Sequence, residues 1–175
     1  MTSPAHSAAP DTLITYYLQI TDRSQFKPAY LAGDAHLLVM KLERPDVRFS
    51  KFMYTAVGEV WRWRDRIIMP EAELEAAISR AETSVHVLYA RGVPAGYFEL
   101  VKQGESTELM YFGLRPEFVG QGYGKHLLSV AIATAFDEGC KRLWVHTCHL
   151  DAPEALINYP KRGFVIYETK NEPMP

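Results

Sequence analysis

Three glycines separated by single residues stand just before a helix-forming run in the segment PEFVGQGYGKHLLS, residues 116–129. They are Gly120, Gly122 and Gly124, and the run before them, TELMYFGL (107–114), is typical of a strand. A glycine turn between a strand and a helix is suited to binding anions, because unpaired N–H groups of the first helical turn point outward. The segment predicts a phosphate-binding loop, with a purely structural tight turn as the alternative.

Two common nucleotide-binding motifs do not fit this segment. The dinucleotide motif G-x-G-x-x-G, begun at Gly120, requires glycine where the chain has Lys125. The phosphate-binding loop of NTPases requires glycine at Val119 and Ser or Thr at His126. The spacing therefore indicates a phosphate-containing ligand of another kind.

A second segment, ALINYPKRGF (155–164), contains a tyrosine, three residues and then Gly-Phe. Together the two segments resemble the acetyl-CoA-binding signature and the downstream signature of the GNAT family of N-acetyltransferases. Gly122 and Gly124 match the small positions of the first signature, and Tyr159 matches the tyrosine of the second.

The resemblance covers residues 84–169 well and the N-terminal half in outline. The chain departs from the family pattern at Val119, where the family usually has Gln or Arg. It also has Ala152 where the family has Asn, with Asp151 one residue away.

The resemblance implies a GNAT-like α+β fold, a mostly antiparallel twisted sheet with helices on both faces, and acetyl-CoA as co-substrate. The pyrophosphate would lie on the glycine-loop amides, and the pantetheine arm beside strand 107–114, which splays from the next strand. The implied contacts with acetyl-CoA are Phe112, Gly113, Leu114, Val119, Gly120, Gln121, Gly122, Tyr123, Gly124 and Lys125.

Transfer of an acetyl group from a thioester to an amine needs a base for the amine proton and an acid for the departing thiolate. The resemblance assigns the acid to Tyr159, since a phenol with a pKa of about 10 is protonated at neutral pH. The alternative is an aromatic core residue with a locally bonded hydroxyl.

The candidate base is Glu108, near the start of its strand, at a place similar to that of a glutamate base in the histone-type branch of the family. Regular alternation predicts that Glu108 shares one strand face with Met110, Phe112 and Leu114. An exposed strand-end carboxylate, with water relaying the proton, is the alternative.

Trp61, Trp63 and Asp65 lie between the first two predicted helices, where such folds often build the acceptor pocket. Aromatic faces beside a carboxylate suit a cationic amine. The alternation of Trp and Arg also fits a half-buried strand or loop.

The spacing of His146, Cys148 and His149 in the sequence is close enough to suggest a metal site. Neighbouring residues of a strand point in alternating directions, and no fourth ligand stands nearby, so a histidine satisfied within the sheet is favoured and no metal is predicted. No cysteine is set beside a histidine and a carboxylate as a nucleophile would be, which favours direct attack in a ternary complex.

Hydrophobic periodicity predicts the elements that carry these residues. TLITYYLQI (12–20) is typical of a strand, whereas AHLLVMKLE (35–43) fits a strand or a short helix. The further predictions are helices from Phe49 to Val57 and from Glu71 to Ala81, a strand meander over 84–90, 95–101 and 107–114, a helix from the glycines to Gly139, a strand over 141–148, a short helix within 152–162 and a strand over 164–169.

Composition limits the remaining possibilities. The 175 residues carry a net charge of −2 with a pI near 6.3, which gives no indication of nucleic-acid binding. There is no apolar run of membrane-spanning length and no secretory signal at the N-terminus, and two cysteines suggest a reducing compartment. We therefore expect a cytoplasmic protein, with a flexible tail over residues 1–11 and a single domain over 12–175.

The sequence thus predicts an acetyl-CoA-dependent N-acetyltransferase that acts on a primary amine, without metal, membrane or nucleic acid. The alternative is a catalytically silent acyl-CoA-binding sensor or interaction module. The acceptor is left open among a polyamine, an antibiotic, an amino acid and a protein amine, and so is a longer acyl donor. A homodimer formed through the N-terminal strand is a further hypothesis.

Overall fold

The computed structural model describes residues 12–33 and 36–174, and the predicted N-terminal tail, residues 1–11, lies outside them. Within these ranges the chain forms seven strands: β1 (Thr12–Ile20), β2 (Leu37–Lys41), β3 (Thr83–Ala90), β4 (Val93–Gln103), β5 (Ser106–Leu114), β6 (Arg142–Cys148) and β7 (Val165–Pro173). It also forms five α-helices: α1 (Val47–Gly58), α2 (Asp65–Ile68), α3 (Glu71–Ile78), α4 (Tyr123–Asp137) and α5 (Ala155–Lys161). None of the helices in this described part has the length and apolar character that a membrane span requires.

The strands form one sheet with the order β2-β3-β4-β5-β6-β1-β7. β5 and β6 run parallel, and the other neighbouring pairs are antiparallel. This arrangement confirms the predicted mostly antiparallel sheet and its meander. The ambiguous segment 35–43 contains strand β2, in which Leu38 and Met40 are exposed while Leu37 and Val39 pack on the core.

β1 lies inside the sheet although it comes first in the chain. Thr15 pairs with Cys148 of β6 on one side and with Lys170 of β7 on the other. Because both edges of β1 are hydrogen-bonded within the chain, a dimer formed through an edge of β1 is incompatible with this sheet, which ends at β2 and β7.

Helices pack on both faces of the sheet, as predicted. One face is covered by α4, whose buried residues recur at helical spacing and are at most 1% exposed: Leu127, Leu128, Ala131, Ile132 and Ala135. On the opposite face, Met53 and Val57 of α1 pack with Val85 and Val87 of β3. Strands β3, β4 and β5 are thus enclosed between the two layers. This packing holds β5, which leads into the glycine loop, in place.

The alternation of side chains along β5 is interrupted by a β-bulge at Met110, which the pairing with β4 skips. Beyond the bulge, Phe112 and Leu114 pack into the same core as Leu109. The predicted face shared by Glu108, Phe112 and Leu114 is therefore wrong, because the extra residue returns the later side chains to the α4 side.

β5 and β6 separate soon after they begin. Their parallel pairing is limited to Ser106–Glu108 with Arg142–Trp144. From there to Leu114, β5 pairs with β4 alone, so the side of its backbone that faces β6 is open. The splay that the resemblance implied between these strands is present.

We expect acid to destabilise this fold through His86. The residue is 8% exposed, its ring stacks on Phe98 with centroids 4.6 Å apart, and burial lowers its pKa to about 4. The unfolded histidine binds its proton near the ordinary pKa of 6.5, so the unfolded state holds more protons between these values. The contribution of neutral His86 to the free energy of unfolding is then fully present above pH 6.5. It falls by at most about 3 kcal/mol as the pH decreases toward 4.

Urea unfolding between pH 7 and pH 4 measures this loss. His86→Gln should flatten the decline, because glutamine does not titrate. An equally steep decline in the variant would assign the acid sensitivity to other groups.

Candidate functional site

The glycine loop enters α4 through two residues in the left-handed backbone region. Gly120 has φ 84° and Gly122 has φ 82°, which residues with a Cβ atom rarely adopt. Gly122 is the N-cap of α4, and no side chain caps the first turn. The N–H groups at this helix terminus are therefore available to an anion.

Gly124 differs from the other two glycines of the loop. Its φ is not positive, and a Cβ built on it would meet Leu114 Cδ1 at 3.7 Å and Asn158 Nδ2 at 4.0 Å, which are ordinary contacts. An alanine would thus fit the described part of the chain without strain. The missing side chain is explained if a ligand lies against this position.

The predicted acetyl-CoA contacts form a continuous strip. Phe112 to Leu114 form the open end of β5, next to the loop in sequence. Around the loop, Val119, Gln121 and Lys125 are exposed and Tyr123 is half-buried at the first position of α4. The arrangement connects the open strand with the helix terminus.

A strap that the sequence did not indicate crosses the start of α4. The N–H of Ala29 donates to Ser129 Oγ (2.8 Å), and the N–H of Leu31 donates to His126 Nδ1 (3.1 Å). The Leu31 side chain thereby lies next to Gly122. These partners are 100 and 95 positions apart, so no local pattern reveals the strap.

Tyr159 of α5 lies in the core beside the open part of β5. Its ring centroid is 6.2 Å from that of Phe112 and 5.5 Å from that of Phe164, and the residue is 5% exposed. Burial, with a smaller contribution from the Asp151 carboxylate, raises the pKa of the Tyr159 phenol well above its ordinary value. The hydroxyl therefore stays protonated at neutral pH.

Asp151 links the end of β6 to the region between α1 and α2. Its Oδ1 accepts from Trp63 Nε1 (3.2 Å), and its Oδ2 accepts from Thr147 Oγ1 (2.8 Å) and from the N–H of Cys148 (2.9 Å). The sequence left open whether Asp151 replaces the family's Asn. In the structure its carboxylate holds Trp63 against the end of β6.

The predicted acceptor residues lie in different surroundings. The Trp63 ring packs with Tyr54 and Tyr111, at centroid distances of 5.4 and 5.6 Å. Trp61 is half-buried in a 3-10 turn, and Asp65 is exposed at the start of α2. The Trp–Arg alternation thus forms turns and a short helix, and Trp63 is the member of the set that joins Asp151.

Glu108 lies at the base of the splay. Its Oε2 accepts from Gln103 Nε2 (2.9 Å), and its Oε1 is 3.5 Å from His146 Nδ1. Phe112, which contacts Tyr159, is roughly 13 Å further along β5 at the usual strand rise. The structure therefore groups Glu108 with His146, and the two predicted catalytic residues do not form one cluster.

The residues considered as metal ligands, His146, Cys148 and His149, do not converge, because the two histidines contact different strands. His149 Nδ1 accepts from the N–H of Ile14 (3.0 Å), on the far side of β6 from Glu108 and β5. Over residues 12–33 and 36–174, no group of three or more His, Cys, Asp or Glu side chains is arranged to hold a metal ion.

Comparison with known proteins extends these observations. Residues 50–164 match the family model described as the acetyltransferase (GNAT) family. A search of curated proteins gave no match. A GCN5-related N-acetyltransferase from Kribbella flavida is 14% identical, with a TM-score of 0.65 over 94% of this chain and 60% of that one. The chain thus spans less than two thirds of the length of the Kribbella protein.

Two further solved structures are similar at low identity. An aminoglycoside acetyltransferase from an uncultured soil metagenomic sample, solved with trehalose, is 16% identical, with a TM-score of 0.61 over 74% of this chain and 88% of that one. The same enzyme was also solved with sisomicin. The ribosomal-protein-S18-alanine N-acetyltransferase from Escherichia coli is 15% identical, with a TM-score of 0.58 over 79% of this chain and 94% of that one. At these identities, the likeness shows the fold alone.

Proposed function

This chain belongs to the acetyltransferase (GNAT) family, and on that premise we propose that it moves an acetyl group from acetyl-CoA to a primary amine by direct attack in a ternary complex. Acetyl-CoA is the general co-substrate of the family. The observation that carries the proposal is Gly124. This residue lies in a helix, and nothing within the described residues gives a cause for its lack of a side chain. A diphosphate lying against the loop supplies that cause.

The loop and the open strand divide the binding of acetyl-CoA between them. The N–H groups around Gly122 and Gly124, at the start of α4, hold the diphosphate. The unpaired backbone of β5 from Phe112 to Leu114 receives the pantetheine arm. Val119 has no side-chain donor where the family usually has Gln or Arg, so main-chain groups supply most of the contacts.

The chemistry proceeds in one transfer. The amine nitrogen gives up a proton to a base as it forms a bond with the thioester carbonyl carbon, the carbon–sulfur bond breaks, and Tyr159 donates a proton to the departing thiolate. A covalent acyl-enzyme is disfavoured because burial, followed by the Asp151 carboxylate, raises the pKa of the Cys148 thiol. Direct attack by the amine avoids that weak nucleophile.

The acceptor pocket lies beside Trp63 and Asp151. The rings of Trp63, Tyr54 and Tyr111 next to the Asp151 carboxylate suit an amine that arrives as a cation. We propose two acceptors as first probes, sisomicin and a peptide with N-terminal alanine. One similar enzyme was solved in complex with sisomicin, and another is named as a ribosomal-protein-S18-alanine N-acetyltransferase.

A cytoplasmic setting is also proposed. Its support is that Cys140 and Cys148 are unpaired thiols.

Saturating acetyl-CoA should raise the melting temperature of the protein, whereas NAD and ATP should not. A ligand at a hundred times its Kd stabilises the folded state by about 2.7 kcal/mol. For a domain of this size, the expected rise is roughly 5–10 °C. Thermal unfolding with each ligand measures the rise.

The same experiment distinguishes the alternatives. No rise with any of the three ligands would indicate that the glycine loop is a structural turn, and an equal rise with all three would contradict selective binding of acetyl-CoA. A rise with acetyl-CoA but no release of CoA with any amine would favour the silent acyl-CoA-binding module.

A further inference from the structure

A glutamate and a histidine stand together at the base of the splay. The Oε1 atom of Glu108 is 3.5 Å from Nδ1 of His146, and the side chains of the two residues are 5% and 46% exposed. Glu108 is thus shielded from solvent, whereas the His146 ring is accessible. Any group that approaches from this face of the sheet meets the imidazole before the carboxylate.

A network on neighbouring strands fixes the carboxylate. Gln103 Nε2 of β4 donates to Glu108 Oε2 (2.9 Å), and Gln103 Oε1 accepts from Trp144 Nε1 of β6 (3.1 Å). With Oε2 engaged, Oε1 is left toward His146. An imidazole that carries its proton on Nδ1 toward Glu108 presents an unprotonated Nε2 to the outside.

The surroundings contain cations, but the carboxylate is the charge next to the imidazole. The rings of Tyr17 and Trp144 flank His146, with centroids 5.8 and 6.1 Å away. Lys170 of β7 lies over the Tyr17 ring, and Arg142 of β6 lies over the Trp144 ring. Both cations are therefore held on aromatic faces, while Glu108 contacts the imidazole itself.

His146 lies further along the splay than Glu108. It stands two positions beyond Trp144, the last residue of β6 that pairs with β5, and beside the part of β5 that carries the Met110 bulge. Leu143 and Val145 of β6 pack in the core on the α4 side, so strand alternation places His146 on the opposite face of the sheet, where Trp63 packs against the cluster that contains Met53 and Val57. The imidazole thus lies on the acceptor side of the splay.

We propose that His146 accepts the proton of the acceptor amine and that Glu108 is the positioning residue behind it. This inference rests on the proposed function. As the nitrogen–carbon bond forms, the amine proton passes to His146 Nε2, and the thiolate released by carbon–sulfur cleavage takes a proton from Tyr159. The sequence pointed to Glu108 itself as the base, and its burial behind His146 is the reason for the reassignment.

Release of the CoA thiol tests the assignment with sisomicin, with the N-terminal alanine peptide and with buffer alone, where water is the acceptor. We expect His146→Ala to lower kcat/KM about 100-fold with the affinity for acetyl-CoA unchanged. The acid limb of its pH profile should disappear, and added imidazole should restore the rate. A series of substituted imidazoles should restore it in the order of their basicity.

Glu108→Gln should lower kcat about tenfold, and the double variant should be no slower than His146→Ala, since Glu108 acts through His146. His149→Ala is the matched control, because His149 is an exposed histidine of the same region bonded to Ile14. It should retain the wild-type rate and pH profile.

The outcomes separate this inference from the proposed function. Wild-type turnover with an unchanged rate and acid limb in His146→Ala would overturn the role of His146 and leave the acetyltransferase intact. Wild-type protein that releases no CoA under any of the three conditions would overturn both.

Discussion

Replacement of Tyr159 by phenylalanine is expected to lower kcat about 1,000-fold and to leave the affinity for acetyl-CoA within twofold. Loss of a general acid costs about 10²–10⁴-fold. The ring remains in its core contacts with Phe112 and Phe164, so the fold should be retained. Single-turnover CoA release and the melting temperature measure the two quantities.

The raised pKa of Tyr159 adds a pH criterion. Because the buried phenol keeps its proton beyond its ordinary pKa of 10, the wild-type rate should not fall on account of Tyr159 between pH 7 and 10. Tyr89→Phe, which removes the hydroxyl of a half-buried tyrosine of β3, is the control and should not change the rate. Wild-type turnover that survives in Tyr159→Phe would assign thiolate protonation to solvent.

Replacement of Gly124 by alanine should move stability and binding in opposite directions. The methyl group meets ordinary contacts in the free protein, and alanine is favoured over glycine in a helix by about 0.5–1 kcal/mol, so the melting temperature should rise slightly. The same methyl group would occupy the seat of the diphosphate. We therefore expect acetyl-CoA affinity to fall at least 50-fold in calorimetric titration.

Two comparisons sharpen this prediction. Gly122→Ala should lower the melting temperature, because its left-handed φ strains any residue with a Cβ atom. Thr134→Ala, toward the other end of α4, improves helix propensity away from the loop and should leave binding unchanged. Normal acetyl-CoA binding by Gly124→Ala would contradict a ligand at this position.

The sequence predicted what depends on short segments of the chain. The order of strands and helices over residues 84–169 followed from hydrophobic periodicity, because each element buries its apolar side. The glycine loop was recognisable because two of its residues need a left-handed backbone. Tyr159 was found because its neighbours in sequence form a recognisable motif.

Contacts between distant segments could not be predicted from these local patterns. The bulge at Met110 moves Phe112 away from the face of Glu108, and a bulge leaves no mark in a pattern of period two. The bond between Trp63 and Asp151 joins residues 88 positions apart. His146 looked like a sheet histidine because the buried Glu108 behind it belongs to another strand.

The place of β1 in the sheet also governs how the chain is completed during synthesis. Ile14 and His149, which are hydrogen-bonded, are 135 positions apart. At a translation rate of about 5–20 residues per second, β1 leaves the ribosome roughly 7–27 s before β6. For that interval TLITYYLQI, an uncharged run of β-branched and aromatic residues, has both edges unpaired and is prone to associate with other nascent chains. β1 is therefore made before the other six strands of this sheet and is among the last of them to be protected.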